Sequence, residues 1–70
     1  MSKYVTGTVK WFDNEKGYGF IVNADDTDVF THYRDIQGDG YKTLAEGQRV
    51  EYMEVQSDKG LAAKEVQVIE

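Results

Sequence analysis

Two short segments decide the fold of this chain: KGYGFI at residues 16–21 and DVFTHY at residues 28–33. Both alternate in character, and on a β-strand alternate side chains point to opposite faces of the sheet. One face then carries Lys16, Tyr18, Phe20, Asp28, Phe30 and His32. The opposite face carries Gly17, Gly19, Ile21, Val29, Thr31 and Tyr33. The pattern therefore predicts two strands, each with aromatic rings on one side.

The direction of these rings follows from the residues beside them. An alternating aromatic pattern most often buries its rings in the core, and periodicity alone leaves that interpretation open. However, Lys16, Asp28 and His32 share the face of the rings, and charged side chains are rarely buried unless they are paired. Ile21 and Val29, on the other face, are ordinary core residues. We therefore predict that the rings face solvent and form a platform on which unpaired bases stack.

Two further rings, Trp11 and Phe12, follow Lys10 in the preceding stretch. Strict alternation places Trp11 with Val9 on one face and Phe12 with Lys10 on the other. Both rings reach the platform only if the strand bends or bulges. Otherwise one ring lies in the core and the other on the surface. We predict that Trp11 is exposed or half-exposed, although alternation alone does not show it.

Short strands joined by turns account for most of the chain. Clusters of Asp, Asn and Gly separate stretches rich in Val, Ile, Thr and aromatic residues. We predict strands near 4–12, 18–23, 28–33, 49–56 and 61–69, with a long connection over 34–48. The last strand is ambiguous because helix formers occupy 61–65, although Val66, Val68 and Ile69 favour a strand. Five short strands in 70 residues predict an all-β, closed or nearly closed barrel.

Composition excludes several modes of binding. The chain has 8 Lys and Arg against 13 Asp and Glu, a net charge of −5, which excludes a surface coated with cations but not a local basic patch. With no cysteine and one histidine, it has no disulfide framework and no Cys-based or His-rich metal site. No apolar run approaches the roughly 20 residues that span a bilayer.

No catalytic arrangement is visible in the sequence. The carboxylates cluster in turns, no nucleophile–base pair stands out, and the chain is short for a substrate pocket. We expect one soluble, cytoplasmic, monomeric domain over residues 1–70. It is expected to be no enzyme and to have no cofactor, no metal, no membrane contact and no small-molecule substrate.

These segments together are similar to a known family. KWF at 10–12 followed by KGYGFI at 16–21 resembles the first ribonucleoprotein motif of bacterial cold-shock proteins, and DVFTHY at 28–33 resembles the second. The likeness continues through 38–44 and 46–48 and covers about residue 5 to residue 68. It implies a five-stranded antiparallel OB-fold barrel that binds single-stranded DNA and RNA. It further implies an RNA chaperone, which in some members affects transcription termination or translation.

The resemblance also implies roles for individual residues. The rings expected to stack on bases are Trp11, Phe12, Tyr18, Phe20, Phe30, His32, Tyr33 and Tyr41. The expected phosphate contacts are Lys10, Lys16 and Lys59. Asp28 is expected to accept a hydrogen bond from a base edge.

Several positions depart from the pattern of the family. Asp13 replaces an asparagine and Leu61 a proline, while tyrosines at 18, 33 and 41 keep the ring face of phenylalanine. Thr31 replaces a valine on the predicted core face, where its hydroxyl must hydrogen-bond inside or lower stability. Arg34 and Asp35 replace a small pair and put a cation at the rim of the platform.

Two other interpretations are weighed against this one. A small acidic barrel that binds a protein partner is the main alternative, and it predicts no affinity for bare oligonucleotides. The RNA-recognition-motif fold shares a signature of the KGYGF type, but it requires two helices, and no segment shows a convincing helical period.

Overall fold

The computed structural model describes residues 4–37, 43–58 and 60–69. Tyr41 and Lys59, both predicted to bind nucleic acid, lie outside these residues. The described elements are strands β1 (Tyr4–Asp13), β2 (Tyr18–Asn23), β3 (Asp28–His32), β4 (Arg49–Ser57) and β5 (Gly60–Val68), with a 3₁₀ turn over Tyr33–Asp35. All five predicted strands are present, and the ambiguous last segment is a strand. No α-helix occurs in these ranges, which disfavours the RNA-recognition-motif fold.

The five strands close into a barrel in the order β1-β2-β3-β5-β4. Every neighbouring pair is antiparallel except β3 with β5, which is parallel and aligns Phe30 with Ala62. A second parallel bridge joins Ile36 to Val66 just beyond β3. The predicted OB-type barrel is thus confirmed, with one parallel pair at the point of closure. Closure leaves no long unpaired sheet edge.

The core is built from the inward side chains of the strands and is mainly aliphatic. Ile21 and Val29 are fully buried, as the alternation predicted. The buried hydrophobic cluster consists of Val9, Ile21, Val29, Ile36, Leu44, Val50, Tyr52, Ala63 and Val66. One aromatic residue, Tyr52, therefore belongs to this fully buried cluster, while most rings of β1, β2 and β3 lie elsewhere.

A bulge in β1 explains how Trp11 leaves the core side. Val9 is opposite Ile21 and Trp11 is opposite Phe20, so Lys10 is an extra residue on β1 between the two pairs. Val9 therefore points inward while Trp11 points outward beside Phe20. The bulge does not bring both rings to the outer side, because Phe12 still packs against the core. The prediction of an exposed or half-exposed Trp11 is confirmed, since 39% of this residue is exposed.

Phe12 occupies the other side of β1. It is opposite Gly19, is half-buried and packs against the core. A Cβ at Gly19 would lie 2.8 Å from Cδ1 of Phe12 and 2.2 Å from the carbonyl oxygen of Trp11. Only glycine leaves room for the close approach of β1 at this point.

The prediction that Tyr33 shares the inner face with Thr31 is wrong. β3 ends at His32, one residue earlier than expected, and the chain turns into the 3₁₀ turn. His32 caps this turn, because its Nδ1 accepts a hydrogen bond from the backbone N–H of Arg34 at 3.3 Å. Tyr33 is therefore 46% exposed. Its ring lies across Gly17, where a Cβ would be 2.5 Å from Cδ2 of Tyr33.

Asp13 fixes the turn between β1 and β2. Its Oδ1 accepts hydrogen bonds from the backbone N–H groups of Glu15 at 2.9 Å and Lys16 at 3.0 Å. Its carbonyl oxygen accepts from the N–H of Gly17 at 2.8 Å. A carboxylate oxygen performs the acceptor role that an asparagine carbonyl would have, so this departure from the family pattern leaves the turn intact.

Thr31 gives a first prediction, on stability. The residue is fully buried, and its Oγ1 has no hydrogen-bond partner in the described part of the chain. Thr31→Val removes an unsatisfied hydroxyl at nearly constant shape, so we expect the free energy of unfolding to rise by about 1–2 kcal/mol. Urea unfolding of both proteins measures the change. A valine variant no more stable than the parent would contradict the assignment of an unsatisfied hydroxyl.

Tyr52 gives a second prediction, on alkaline stability. Burial, with the nearby Glu54 carboxylate, raises the pKa of Tyr52 to about 12. The unfolded pKa is about 10, so the folded state favours the neutral phenol, and this contribution is complete below pH ~10 and lost as pH rises toward 12.

The matched variant for this measurement is Tyr52→Phe, which removes the titrating hydroxyl and keeps the ring. Between pH ~9 and ~12 we expect the parent to lose on the order of 2 kcal/mol more unfolding free energy than the variant. Denaturant unfolding across this range checks it, and identical pH profiles would show that Tyr52 titrates normally.

Candidate nucleic-acid interface

Five rings lie together on the outer side of β1, β2 and β3. Register places Trp11 beside Phe20 and Phe20 beside Phe30, in one row across three strands. Two residues along, Tyr18 is opposite His32. These residues are called the ring face below: Trp11, Tyr18, Phe20, Phe30 and His32.

Four of these rings contact one another in a closed circuit. Centroid distances are 5.5 Å for Trp11–Phe20, 5.7 Å for Phe20–Phe30, 5.9 Å for Phe30–Tyr18 and 5.9 Å for Tyr18–Trp11. The Trp11–Tyr18 and Phe20–Phe30 contacts are edge-to-face, a geometry that aromatic pairs favour, and the other two are tilted. A favourable aromatic pair contributes ~0.5–1.5 kcal/mol beyond burial. The rings therefore hold one another in position before any ligand arrives.

The ring face is open to solvent. Trp11 and Phe30 are 39% and 38% exposed, and Tyr18, Phe20 and His32 are partly exposed. The prediction that these rings face outward is therefore confirmed, and the interpretation of them as a buried core is wrong. A contiguous exposed aromatic surface on so small a domain marks an interaction site.

Tyr33 extends the ring face beyond the end of β3. Its centroid lies 4.5 Å from that of His32, with 34° between the ring planes. The sequence placed Tyr33 among the stacking residues by resemblance, while alternation placed it on the inner face. The 3₁₀ turn ends the alternation before Tyr33, so that Tyr33 is exposed. This turn could not be predicted from the residue pattern, because histidine is an uncommon N-cap.

Phe12 is set apart from the ring face. The structure places it half-buried against the core, across from Gly19. Its role as a stacking residue stays a prediction, as does that of Tyr41, which lies outside the described residues.

Lys10 and Asp28 form an ion pair at one end of the ring face. The Nζ of Lys10 lies 3.1 Å from Oδ2 of Asp28, and the two side chains are 50% and 46% exposed. The structure thus joins the predicted phosphate contact to the predicted base acceptor. An exposed pair of this kind contributes only ~0–1 kcal/mol, so a phosphate and a base edge can replace the two partners at low cost.

Lys16 lies at the other end, in the turn that precedes β2. It is exposed and forms no ion pair with any described residue. The backbone carbonyl oxygen of its neighbour Gly17 accepts a hydrogen bond from the N–H of Tyr33 at 2.8 Å. Lys16 therefore directly precedes, in sequence, the residue that is hydrogen-bonded to Tyr33.

Comparison with known proteins agrees with the motifs. The model of the 'Cold-shock' DNA-binding domain matches residues 5–69. The chain belongs to the cold-shock domain family. It is 52% identical over 69 residues to cold shock protein CapB of Pseudomonas syringae, covering 99% of this chain and 100% of that protein. It is 59% identical over 61 residues to cold shock protein 2 of Lactiplantibacillus plantarum, covering 87% and 92%.

The cold-shock fold is also found in a distant solved structure. The structure titled "drosophila Unr CSD456" matches with a TM-score of 0.78 at 18% identity, covering 99% of this chain and 28% of that one. Membership of the family makes this protein a nucleic-acid-binding cold-shock protein. Among the described residues, no helix is long and apolar enough to cross a membrane, and no cluster of side chains could hold a metal ion.

Neighbouring residues of β3 give a third prediction. Phe30 faces outward and Val29 is fully buried. Phe30→Ala should weaken binding to oligothymidylate by ~1–3 kcal/mol through the lost stacking, with a small change in stability. Val29→Ala should instead lower the unfolding free energy by about 2 kcal/mol and leave the affinity of the folded protein unchanged.

The same comparison applies to Phe20→Ala, whose ring contacts both Trp11 and Phe30. Fluorescence titration measures affinity and urea unfolding measures stability for each variant. A ring variant that unfolds as easily as Val29→Ala but binds like the parent would show that the ring face serves the fold alone.

Proposed function

We propose that this cold-shock protein captures unpaired stretches of RNA and single-stranded DNA by stacking their bases on the ring face, and that it acts as an RNA chaperone. The observation that carries the proposal is the closed circuit of exposed rings formed by Trp11, Tyr18, Phe20 and Phe30. Every base has a flat π-face, so a set of fixed rings accepts any sequence with modest preference.

Selectivity for single strands follows from the same geometry. The faces of paired bases are covered by their neighbours within a duplex, whereas unpaired bases can be splayed onto aromatic side chains. Binding to the open strand alone shifts a weak hairpin toward the open form by mass action. No energy source is required, and the sequence has no phosphate-cradling motif of an ATPase.

The proposed contacts are of three kinds: stacking on bases, contacts with phosphates and a hydrogen bond with a base edge. The rings proposed to stack are Trp11, Phe12, Tyr18, Phe20, Phe30, His32, Tyr33 and Tyr41. On binding, Lys10 exchanges Asp28 for a phosphate, and the freed carboxylate accepts a hydrogen bond from a base edge. Lys16 and Lys59 supply further phosphate contacts. The protein works as a cytoplasmic monomer without cofactor or small-molecule substrate, and opened hairpins account for effects on transcription termination or translation.

Electrostatics supports a mechanism led by stacking. The chain carries a net charge of −5, which repels a polyanion at long range. Lys10 is paired with Asp28 in the free protein. When a phosphate replaces Asp28, Lys10 exchanges one negative partner for another, so this contact adds little to the binding free energy. Affinity must then come mainly from contacts between bases and rings.

Salt dependence gives a fourth prediction. The single tryptophan, Trp11, is part of the ring face, so quenching of its fluorescence reports the binding of oligothymidylate. We expect log affinity to fall with log salt with a slope of about −2, because few phosphates are neutralised. A slope that implies about six or more released ions would overturn the stacking mechanism.

The chaperone activity requires its own measurement. An RNA hairpin labelled at both ends should melt at a lower temperature with the parent protein, and Phe20→Ala/Phe30→Ala should largely lose this effect. Arg49→Gln, a substitution away from the aromatic rings, serves as the matched surface control. Failure of the parent to bind bare oligonucleotide would favour a barrel that binds a protein partner instead.

A further inference from the structure

The cations of the described residues are not equally compensated. Lys10 pairs with Asp28 at 3.1 Å, and Lys64 pairs with Asp35 at 3.3 Å. Arg34 is exposed and forms no ion pair in the described ranges. Arg49 shares this property, but Arg34 differs from it by following the His32–Tyr33 pair directly in sequence.

The acidic neighbour of Arg34 is engaged elsewhere. Asp35 follows Arg34 in sequence, but its Oδ1 accepts a hydrogen bond from Nζ of Lys64 on β5 at 3.3 Å. Its side chain is only 18% exposed. The carboxylate is thus engaged by β5, and Arg34, which is exposed, forms no ion pair with it.

The 3₁₀ turn sets Arg34 directly beyond the last two rings. Its backbone N–H donates to Nδ1 of His32 at 3.3 Å, and Tyr33, the residue before it, packs on His32 at 4.5 Å between centroids. The ring of Tyr33 packs over Gly17, whose carbonyl oxygen accepts a hydrogen bond from the N–H of Tyr33, and Lys16 is the residue before Gly17 in sequence. Lys16 and Arg34, neither of which forms an ion pair with a described residue, are thus next in sequence to the residues that form this end of the aromatic surface.

The opposite end of the ring face has a different charge state. There Lys10 is neutralised by Asp28, so its attraction for a phosphate is largely satisfied within the protein. A strand that lies across the rings meets uncompensated positive charge only where it passes His32 and Tyr33, among the residues described. The uncompensated positive charge of the site is therefore at its His32–Tyr33 end, and the Lys10–Asp28 end is closer to neutral.

We propose that Arg34 binds the phosphate of a nucleotide that continues past the His32–Tyr33 pair, and so lengthens the interface by one nucleotide. The inference rests on the proposed binding of single strands to the ring face. Arginine suits the task because its planar guanidinium donates two parallel hydrogen bonds to phosphate oxygens. The ligand group is the phosphodiester itself, so the contact is independent of base identity.

Arg49 provides a matched control for the loss of charge. It is also an exposed arginine without an ion pair among the described residues. Register places it opposite Thr8, which in turn is opposite Val22, at the far end of β2 from Tyr18. Arg34→Gln and Arg49→Gln remove the same charge, but only the first removes it beside the His32–Tyr33 pair.

The experiment measures affinity as a function of oligonucleotide length. Oligothymidylates of increasing length are titrated by Trp11 quenching at two salt concentrations, with thermal unfolding as the check that each variant folds. For long oligomers we expect Arg34→Gln to bind about 3- to 10-fold more weakly than the parent, with a salt slope smaller by ~0.7. For the shortest oligomers that bind, the two proteins should agree. Arg34→Lys should keep most of the salt slope.

The outcomes separate this inference from the proposed function. Binding by the parent, with a length-dependent loss confined to Arg34→Gln, supports the proposal. An unchanged affinity and salt slope in Arg34→Gln, or an equal loss in Arg49→Gln, overturns it while leaving base stacking intact. A parent protein that fails to bind any oligothymidylate overturns the proposed function as well.

Discussion

The extra residue in β1 is the constraint on which the binding surface depends. Without a bulge at Lys10, Trp11 would point inward with Val9, and the outer row would lack the ring that completes the circuit with Tyr18 and Phe20. Because of the bulge, β1 contributes a core side chain just before Lys10 and an outward-facing ring just after it. Val9 fills the core, and two residues later Trp11 serves the surface.

The division of residues between core and surface limits stability as well as enabling binding. Most rings of β1, β2 and β3 lie outside the buried cluster, which consists of aliphatic side chains and Tyr52. The domain therefore forgoes the large area that buried rings contribute to small cores. Thr31 adds an unsatisfied hydroxyl to the same interior. Contacts among the exposed rings offset part of this loss of stability and keep the rings ordered.

The strand positions and the outward direction of the rings followed from the sequence, because period-two alternation is a local property. Because Lys16 and Asp28 are charged and share the face of the rings, they indicated that this face is exposed to solvent. Features that depend on two segments meeting in space did not follow. The Lys10–Asp28 pair joins residues 18 apart, and the exposure of Tyr33 depends on a turn capped by an imidazole. Alternation also could not predict the bulge, and strict alternation placed Trp11 on the face of Val9, which the register shift between Val9 and Trp11 overturns.

An acidic protein can bind a polyanion when the cations at its binding surface have no acidic partner or exchange that partner for a phosphate on binding. Here Asp28 and Asp35 each pair with a lysine, while Lys16 and Arg34, which adjoin Gly17 and Tyr33 in sequence, form no ion pair with any described residue. In the proposed mechanism, net negative charge weakens distant, non-specific attraction, and the affinity comes from the rings where bases are unpaired. In the proposed chaperone mechanism the protein releases each strand again, because binding assembled from several weak stacking contacts dissociates readily when the strand re-forms its own pairs.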